Sequence, residues 1–218
     1  MERVPVALVA LFLASATVAV ASSLSGRRFA LVLAKPLTTA LLLVVAGPIG
    51  SRLSWLIHAG IVFSLAGDTI LLFPTKSAFL VGLGIFLLAH LAYIVGFVGV
   101  AGGALFAAPA LVAAAVVLTA SAFLLRRLWP GVASIRVPLV AYAIALSVMV
   151  TTAVAAASAG GPQALSPAAA VGAALFFVGD ASLALDHFHA RIRYAPLLTL
   201  GVYWLGQLGI ALGARWAG

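Results

Sequence analysis

The sequence predicts an all-α membrane protein, a polytopic bundle of about eight transmembrane helices that form one integral membrane domain over residues 1–218. Three observations lead to this fold class. Hydrophobic residues make up 65% of the 218 residues, charged residues make up only 7%, and the apolar residues fall into separate runs. Soluble domains usually carry about 25% charged residues, so a chain as apolar as this one has lipid as its main solvent.

The apolar runs are separated by short connections, many of which carry Gly, Pro or Ser. A transmembrane helix needs about 20 predominantly apolar residues, and this length divides the chain into eight spans. The predicted spans are 4–22, 29–46, 53–73, 77–99, 104–125, 136–157, 167–187 and 194–213. The first span resembles a signal peptide at Ala19-Val20-Ala21, but Arg27-Arg28 follows it like a stop-transfer signal. We therefore expect it to be retained as a span.

The basic residues are distributed unevenly between the two ends of the spans. When the loops are numbered alternately, one side holds Arg3, Arg52 and Arg215, and the other holds eight Lys and Arg residues. The richer side is usually cytoplasmic, so we expect both termini to lie outside. The Ala-rich, Cys-free composition is typical of a bacterial chain, so we expect a bacterial inner membrane. The net charge is +8, but the basic residues form no basic face. We interpret them as topology signals and lipid contacts, and we expect no nucleic-acid partner.

Two segments share the pattern Leu-Gly-x-aromatic-x-Leu-x-polar-Leu, one beginning at Leu83 in span four and the other at Leu200 in span eight. Each segment is preceded by a span with a Gly-Asp step, Gly67-Asp68 in span three and Gly179-Asp180 in span seven. The copies are an even number of spans apart, so the two halves run in the same direction. We expect a 4+4 parallel internal repeat about an axis along the membrane normal. Chance similarity in a chain rich in Leu, Ala and Gly is the alternative.

Polar side chains are rare inside the predicted spans, and they gather between the bilayer middle and the cytoplasmic boundary. Asp68 and Asp180 lie five to seven residues from the cytoplasmic ends of their spans, which is roughly 8–10 Å at 1.5 Å per residue. A carboxylate in hydrocarbon is energetically expensive, faces the bundle interior and usually marks function. Six further polar residues lie near the same level: Lys35, Thr39, His90, Tyr142, Tyr203 and Gln207. The sequence therefore predicts one wet, polar cavity that opens toward the cytoplasmic leaflet.

These polar residues also have purely structural interpretations. Asp68 and Lys35 could form an ion pair that only holds helices together, and Asp180 could be a satisfied core carboxylate. His90 could simply hydrogen-bond a backbone carbonyl, and Tyr142 could serve in packing. The chain has no Cys, which excludes disulfides and thiolate metal sites. We expect neither a metal nor another cofactor.

The sequence resembles the YhhN-type lysoplasmalogenase family between about residues 29 and 210. The resemblance rests on motifs in spans two, three, four, seven and eight: Ala34-Lys35-Pro36-Leu37-Thr38-Thr39, Gly67-Asp68, Gly84 with His90 and Tyr93, Gly179-Asp180, and Tyr203 with Gln207. It implies an integral membrane hydrolase that acts on ether bonds. The implied substrate is a lysophospholipid in the membrane, a lysoplasmalogen, whose vinyl ether bond is cleaved to a fatty aldehyde and a glycerophospho-head group.

The chemistry of vinyl ether hydrolysis fits the polar residues independently of the resemblance. A proton must reach the alkene carbon and water must then add to the oxocarbenium ion, much as in glycoside hydrolysis with its two carboxyl groups. We therefore expect Asp68 and Asp180 to be the catalytic pair, with the assignment of acid and base left open. Lys35 is expected to hold one carboxylate or the lipid phosphate. The other residues are expected to position water or the head group: Thr39, His90, Tyr142, Tyr203 and Gln207.

Two other classes of function fit some of the same features. A proton-coupled transporter of small molecules or lipids also uses duplicated helices and membrane carboxylates, with Pro36 as the break in a discontinuous helix. A non-catalytic lipid-binding or assembly protein predicts that aspartate variants lose stability rather than turnover. Eight spans are few for such a carrier, and no span has a long Gly-rich centre. We therefore favour the hydrolase over both.

Overall fold

The computed structural model of the protein describes residues 5–161 and 164–215, and it contains eight long helices within them. Residue 4, the expected start of the first span, and Arg3 lie outside the described residues. The helices are α1 Val6–Leu24, α2 Arg28–Val45, α3 Arg52–Ile70, α4 Lys76–Ala101, α5 Ala108–Leu128, α6 Arg136–Ser158, α7 Pro167–Phe188 and α8. Helix α8 begins with a π-helical turn at Leu197–Val202 and continues as an α-helix over Tyr203–Arg215.

The outer surface of the bundle is strongly apolar. Val6, Phe29, Phe106 and Val137 are each between 80% and 84% exposed. A soluble protein rarely exposes large contiguous apolar surface, whereas lipid-facing helices must do so. Within the described residues, all eight helices are long and apolar enough to cross a membrane. The predicted all-α integral membrane bundle of eight spans is therefore confirmed.

Helix α5 begins at Ala108, four residues later than the predicted start of span five at residue 104. Gly102 ends α4 with a φ of +49°, in the left-handed region that favours glycine. A 3-10 helix, Gly102–Phe106, follows and takes up the residues that were expected to begin the span. Pro109 then lies in the first turn of α5, where its missing N–H breaks no hydrogen bond.

Hydroxyl side chains define the starts of the two helices that form the α3–α4 hairpin. The Ser51 hydroxyl accepts a hydrogen bond from the Ser54 N–H at 3.1 Å, and the Thr75 hydroxyl accepts one from the Ala78 N–H at 3.1 Å. Such caps satisfy N–H groups that have no partner in the first turn of a helix. The caps therefore fix where the hairpin that carries Asp68 begins and turns.

Six helices form a closed ring in which α2, α3, α4, α6, α7 and α8 each contact the next, and α8 returns to α2. Helix α6 is buried over 67% of its apolar stretch, whereas α5 is buried over only 17%. Helices α1 and α5 lie outside the ring, α1 against α2 and α5 against α6. The Ser15 and Thr38 hydroxyls hydrogen-bond at 2.8 Å and join α1 to α2. Each of the six helices therefore turns one face toward a shared interior.

The α3–α4 and α7–α8 hairpins make corresponding close contacts. A Cβ added to Gly67 would lie 2.7 Å from the ring of Phe86, and one added to Gly179 would lie 2.9 Å from the Cβ of Tyr203. Phe86 and Tyr203 occupy the same position in the pattern Leu-Gly-x-aromatic-x-Leu-x-polar-Leu. Each Gly-Asp step thus meets the same position of the following helix. The internal repeat itself stays a prediction.

The interface between α7 and α8 depends on glycines at which the two backbones touch. A Cβ on Gly206 would lie 2.6 Å from the Phe176 backbone nitrogen and 2.7 Å from the Gly172 carbonyl oxygen. Neither atom can move without shifting a helix, so we expect Gly206→Ala to lower the free energy of unfolding by about 1–3 kcal/mol. Thermal unfolding in detergent measures this. Gly84→Ala is the control, because no atom lies within 4 Å of a Cβ there. Equal melting temperatures for the two variants would contradict the close packing.

Candidate functional site

A cavity of about 490 Å³ lies within the ring of six helices, and the α3–α4 and α7–α8 connections contribute to its walls. Five of the eight predicted site residues line this cavity: Lys35, Asp68, Tyr142, Asp180 and Tyr203. The other three are fully buried and stand behind it in contact with the lining residues: Thr39, His90 and Gln207. The structure therefore brings all eight predicted residues together at one end of the bundle, although they come from α2, α3, α4, α6, α7 and α8.

Asp68 is surrounded by donors and is only 2% exposed. The Lys35 ammonium lies 3.3 Å from its Oδ1. The Thr39 hydroxyl donates to its Oδ2 at 2.6 Å, and the Tyr203 hydroxyl donates to the same oxygen at 3.0 Å. An ionised carboxylate only accepts hydrogen bonds, so one ammonium and two hydroxyl donors match this form of Asp68.

The donor role of Tyr203 is fixed by a chain of hydrogen bonds that runs away from the cavity. The Gln207 amide nitrogen donates to the Tyr203 hydroxyl oxygen at 3.2 Å. The Tyr93 hydroxyl in turn donates to the Gln207 carbonyl oxygen at 2.6 Å. Because Tyr203 accepts from Gln207, its own hydrogen remains available for Asp68. The chain links α4, α8 and α3 and holds the phenol in one orientation.

Asp180 has different surroundings, although it lines the same cavity. The Tyr142 hydroxyl donates a short hydrogen bond to its Oδ2. The His90 Nε2 lies 3.7 Å from that oxygen, which is too far for a hydrogen bond. In the described part of the chain, no Lys or Arg forms an ion pair with Asp180. The two carboxyl groups therefore differ in kind: one is paired with a cation and the other with a phenol.

Two residues that support the site were absent from the predicted set. The Trp204 indole N–H donates to the Thr39 hydroxyl oxygen at 3.0 Å, so the Thr39 hydrogen remains available for Asp68. Tyr93 ends the chain behind Tyr203. A buried Trp or Tyr usually has a hydrogen-bond partner for its polar atom, and this rule was the one sequence signal that could have identified them. Their partners lie 165 and 114 residues away in sequence, which concealed the pairing.

Other polar groups lie away from the cavity or at its rim. Asp186 pairs with Arg191 at 3.5 Å and accepts a hydrogen bond from the Ile192 N–H at 2.7 Å. The His58 ring nitrogens contact the carbonyl oxygens of Ser54 and Leu43, so His58 takes no part in the site. Among the described residues, no group of three or more His, Cys, Asp or Glu side chains is placed to hold a metal ion.

The fold and the site together define an α-helical integral membrane protein with two carboxyl groups at one internal cavity, Asp68 buried and the Asp180 side chain 11% exposed. A model of the YhhN family matches residues 30–214, and the chain belongs to this family. The resemblance expected from the motifs is therefore confirmed. The match leaves out all of α1 and covers the six helices of the ring apart from the first two residues of α2 and the last residue of α8.

Named relatives cover most of the chain. Lysoplasmalogenase TMEM86B of Rattus norvegicus is 30% identical over 187 residues, which are 85% of this chain and 72% of the rat protein. A lysoplasmalogenase of Mycobacterium bovis is 34% identical over 163 residues, which are 73% of this chain and 59% of that protein. The uncharacterized membrane protein YhhN of Escherichia coli O6:H1 is 30% identical over 181 residues, 79% of this chain and 81% of that one. No solved structure is significantly similar to the chain.

Proposed function

We propose that the protein is a membrane-embedded hydrolase that cleaves the vinyl ether bond of a lysoplasmalogen, releasing a fatty aldehyde and a glycerophospho-head group. The observation that carries the proposal is the pair of carboxyl groups with unlike partners in one cavity. Acid-catalysed addition of water needs one group that gives a proton and one that takes a proton. The relatives named lysoplasmalogenase support the choice of substrate.

Asp68 is the group that we assign to water. Its partners, above all the Lys35 ammonium, suit a carboxylate. A carboxylate can accept a proton from water while the water oxygen bonds to the oxocarbenium carbon. Lys35 and Thr39 of α2 keep the carboxylate in place, and Tyr203 holds it from α8, the helix beside α2 in the ring. These three residues are therefore positioning residues rather than proton donors to the substrate.

Asp180 is the group that we assign to the alkene. It lines a narrow apolar crevice between α4, α5, α6 and α7, in addition to the main cavity. The carbon that accepts the proton lies on the hydrocarbon side of the vinyl ether. A substrate whose hydrocarbon chain points toward this crevice therefore presents that carbon to Asp180. Tyr142 donates to Oδ2, which leaves Oδ1 to carry the proton. The two carboxyl groups then act on the two ends of the same double bond.

The proposed steps restore both carboxyl groups. Asp180 gives its proton to the alkene carbon, and the electrons of the double bond form the new C–H bond and leave an oxocarbenium ion. Water adds to this ion and gives a proton to Asp68, which produces a hemiacetal. The hemiacetal O–H then returns its proton to Asp180 as the bond to the glycerol oxygen breaks, and Asp68 protonates that oxygen. One water is consumed, and an aldehyde and an alcohol are formed.

We also propose that the cavity lies nearer the cytoplasmic leaflet of a bacterial inner membrane, with both termini outside. Lys76 and Arg191 line the cavity at its open end, and both belong to the side of the chain that is richer in Lys and Arg. Positive residues favour the cytoplasmic side. A single-chain phospholipid would then reach the site sideways from that leaflet, with its head group at the level of the connections.

The experiment that tests the function uses the purified protein in maltoside detergent. It is incubated with a lysoplasmalogen and, separately, with the matched lysophospholipid that has a saturated alkyl ether, and fatty aldehyde is measured. We expect aldehyde from the vinyl ether only, because the alkyl ether has no double bond to protonate. A well-folded protein that releases no aldehyde from the vinyl ether would contradict the proposed reaction.

A further inference from the structure

A second cavity, of about 360 Å³, adjoins the first on the side of α1 and α2. The end of α1 contributes Ser22 and Ser23, the start of α2 contributes Arg28, and the π-helical turn before Tyr203 contributes Thr199. Lys35 and Thr199 line both cavities, so the second cavity reaches the ammonium that holds Asp68. The proposed reaction uses nothing on the far side of Lys35, and this space is unassigned.

The lining of the second cavity fits a phosphate. It offers a guanidinium, an ammonium and three hydroxyl groups, and none of the described residues that line it is acidic. Within the described residues, Arg28 has no carboxylate partner. A guanidinium presents several N–H groups in a planar fork that matches phosphate oxygens, and charge-assisted hydrogen bonds of this kind are the strong ones.

The spacing of Arg28 and Lys35 agrees with the short separation between the ether oxygen and the phosphate of a lysophospholipid. Arg28 and Lys35 are seven residues apart on α2, so they lie on the same face about two turns, or roughly 10 Å, from each other. Only the glycerol carbons separate the ether oxygen of a lysophospholipid from its phosphate. A phosphate held between Arg28 and Lys35 therefore leaves the vinyl ether beside Asp68.

We propose that the second cavity is the phosphate subsite of the substrate, with the phosphodiester bound between Arg28 and Lys35 and contacted by the hydroxyls of Ser22 and Ser23. The inference rests on the proposed function and adds the direction of the substrate. The head group points toward α1 and α2, and the hydrocarbon chain points past Asp180 toward the apolar crevice. This direction brings the alkene carbon to the acid and the ether carbon to the base.

The opposite rim of the main cavity is a poorer phosphate site. Arg191 lines the cavity there, but its guanidinium is already paired with Asp186 at 3.5 Å. A phosphate would have to compete with that carboxylate. The α2 side instead offers the buried Lys35 together with Arg28, which pairs with no carboxylate of the described part of the chain.

The kinetic test compares Arg28→Gln with Arg27→Gln, because Arg27 is adjacent, exposed and absent from the lining of both cavities. Two substrates are used, a lysoplasmalogen and the corresponding 1-alkenylglycerol, which has the vinyl ether but no phosphate. We expect Arg28→Gln to raise KM for the lysoplasmalogen at least about tenfold, as loss of a charged hydrogen bond does, with little change in kcat. We expect no change for the 1-alkenylglycerol and none from Arg27→Gln.

A binding test separates failure of the subsite from failure of the reaction. The alkyl-ether lysophospholipid is added in maltoside detergent, and the rise in melting temperature is measured for the wild type and for Arg28→Gln, Arg27→Gln and Arg191→Gln. We expect the rise to be lost only in Arg28→Gln. Inorganic phosphate is expected to give no rise, since it has no hydrocarbon chain, and an equal rise with phosphate alone would overturn a lipid subsite in favour of a free-anion site.

The remaining outcomes of the binding test decide between the subsite and the proposed reaction. Undiminished binding by Arg28→Gln, or loss in Arg191→Gln instead, overturns the subsite whether or not aldehyde is released. Binding that depends on Arg28, in a wild type that releases no aldehyde from the vinyl ether, supports the subsite and overturns the hydrolase.

Discussion

Asp180→Asn is expected to lower the rate of aldehyde release by about 10²–10⁴-fold, the usual contribution of a general acid. Asparagine has the size of aspartate and can still accept the Tyr142 hydrogen bond, but it has no acidic proton for the alkene. We expect the folded structure to persist, because Asp180 pairs with no Lys or Arg among the described residues, so no such charge would be left unpaired. Aldehyde release and melting temperature are measured on the same purified sample.

Asp186→Asn is the matched control for Asp180→Asn. It removes an acid from the same helix, but Asp186 lies outside the lining of the main cavity and pairs with the exposed Arg191. We expect turnover near that of the wild type, because asparagine can still accept the Ile192 N–H hydrogen bond and a pair with the exposed Arg191 contributes little to stability. Unchanged turnover in Asp180→Asn would refute its role as the acid. Loss of turnover together with loss of folding would instead favour the structural interpretation of Asp180.

The positions of the helices were predictable because lipid leaves little choice. A backbone that crosses hydrocarbon must satisfy its hydrogen bonds internally, so every long apolar run becomes a helix. The errors lie at the ends of the runs. Gly102 and Pro109 shift the start of α5, since hydropathy is blind to a left-handed φ and to the first-turn preference of proline. How the eight helices close into a ring of six depends on contacts that no single span reveals.

The membership of the site was predictable for a related reason. A polar group in a span must turn inward, and groups at one depth on several helices must meet. This argument works for Asp68 and Lys35, whose polarity is conspicuous in an apolar run. It does not work for Trp204 and Tyr93, whose polar atoms are small parts of apolar side chains. The structure was also needed to identify the partners of the two aspartates. The sequence does not show which tyrosine hydroxyl or lysine ammonium faces which carboxyl group.

Breaking the Lys35–Asp68 pair on one side is expected to destabilise the protein more than removing both charges. Both side chains are buried, at 7% and 3% exposed, so Lys35→Met or Asp68→Asn each removes a charge partner in a region with little water. Removal of one partner from a buried pair costs about 3–5 kcal/mol, whereas replacing both is often neutral. We expect the double variant to recover most of the melting temperature in detergent. Strictly additive losses would show that the two groups do not interact.

The same three variants separate a structural pair from a catalytic one. If the pair only held α2 against α3, the double variant would regain turnover together with its stability. We expect it to regain stability and to remain at least about 10²-fold less active, since no carboxylate is left at residue 68 to accept a proton from water. Thr39 and Tyr203 keep their places in the double variant, because each can donate to the asparagine oxygen. The kcat for aldehyde release, taken at saturating substrate and matched folded fractions, therefore measures the chemistry of Asp68 apart from its part in packing and from the part of Lys35 in phosphate binding. A kcat that follows stability would return Asp68 to a structural role.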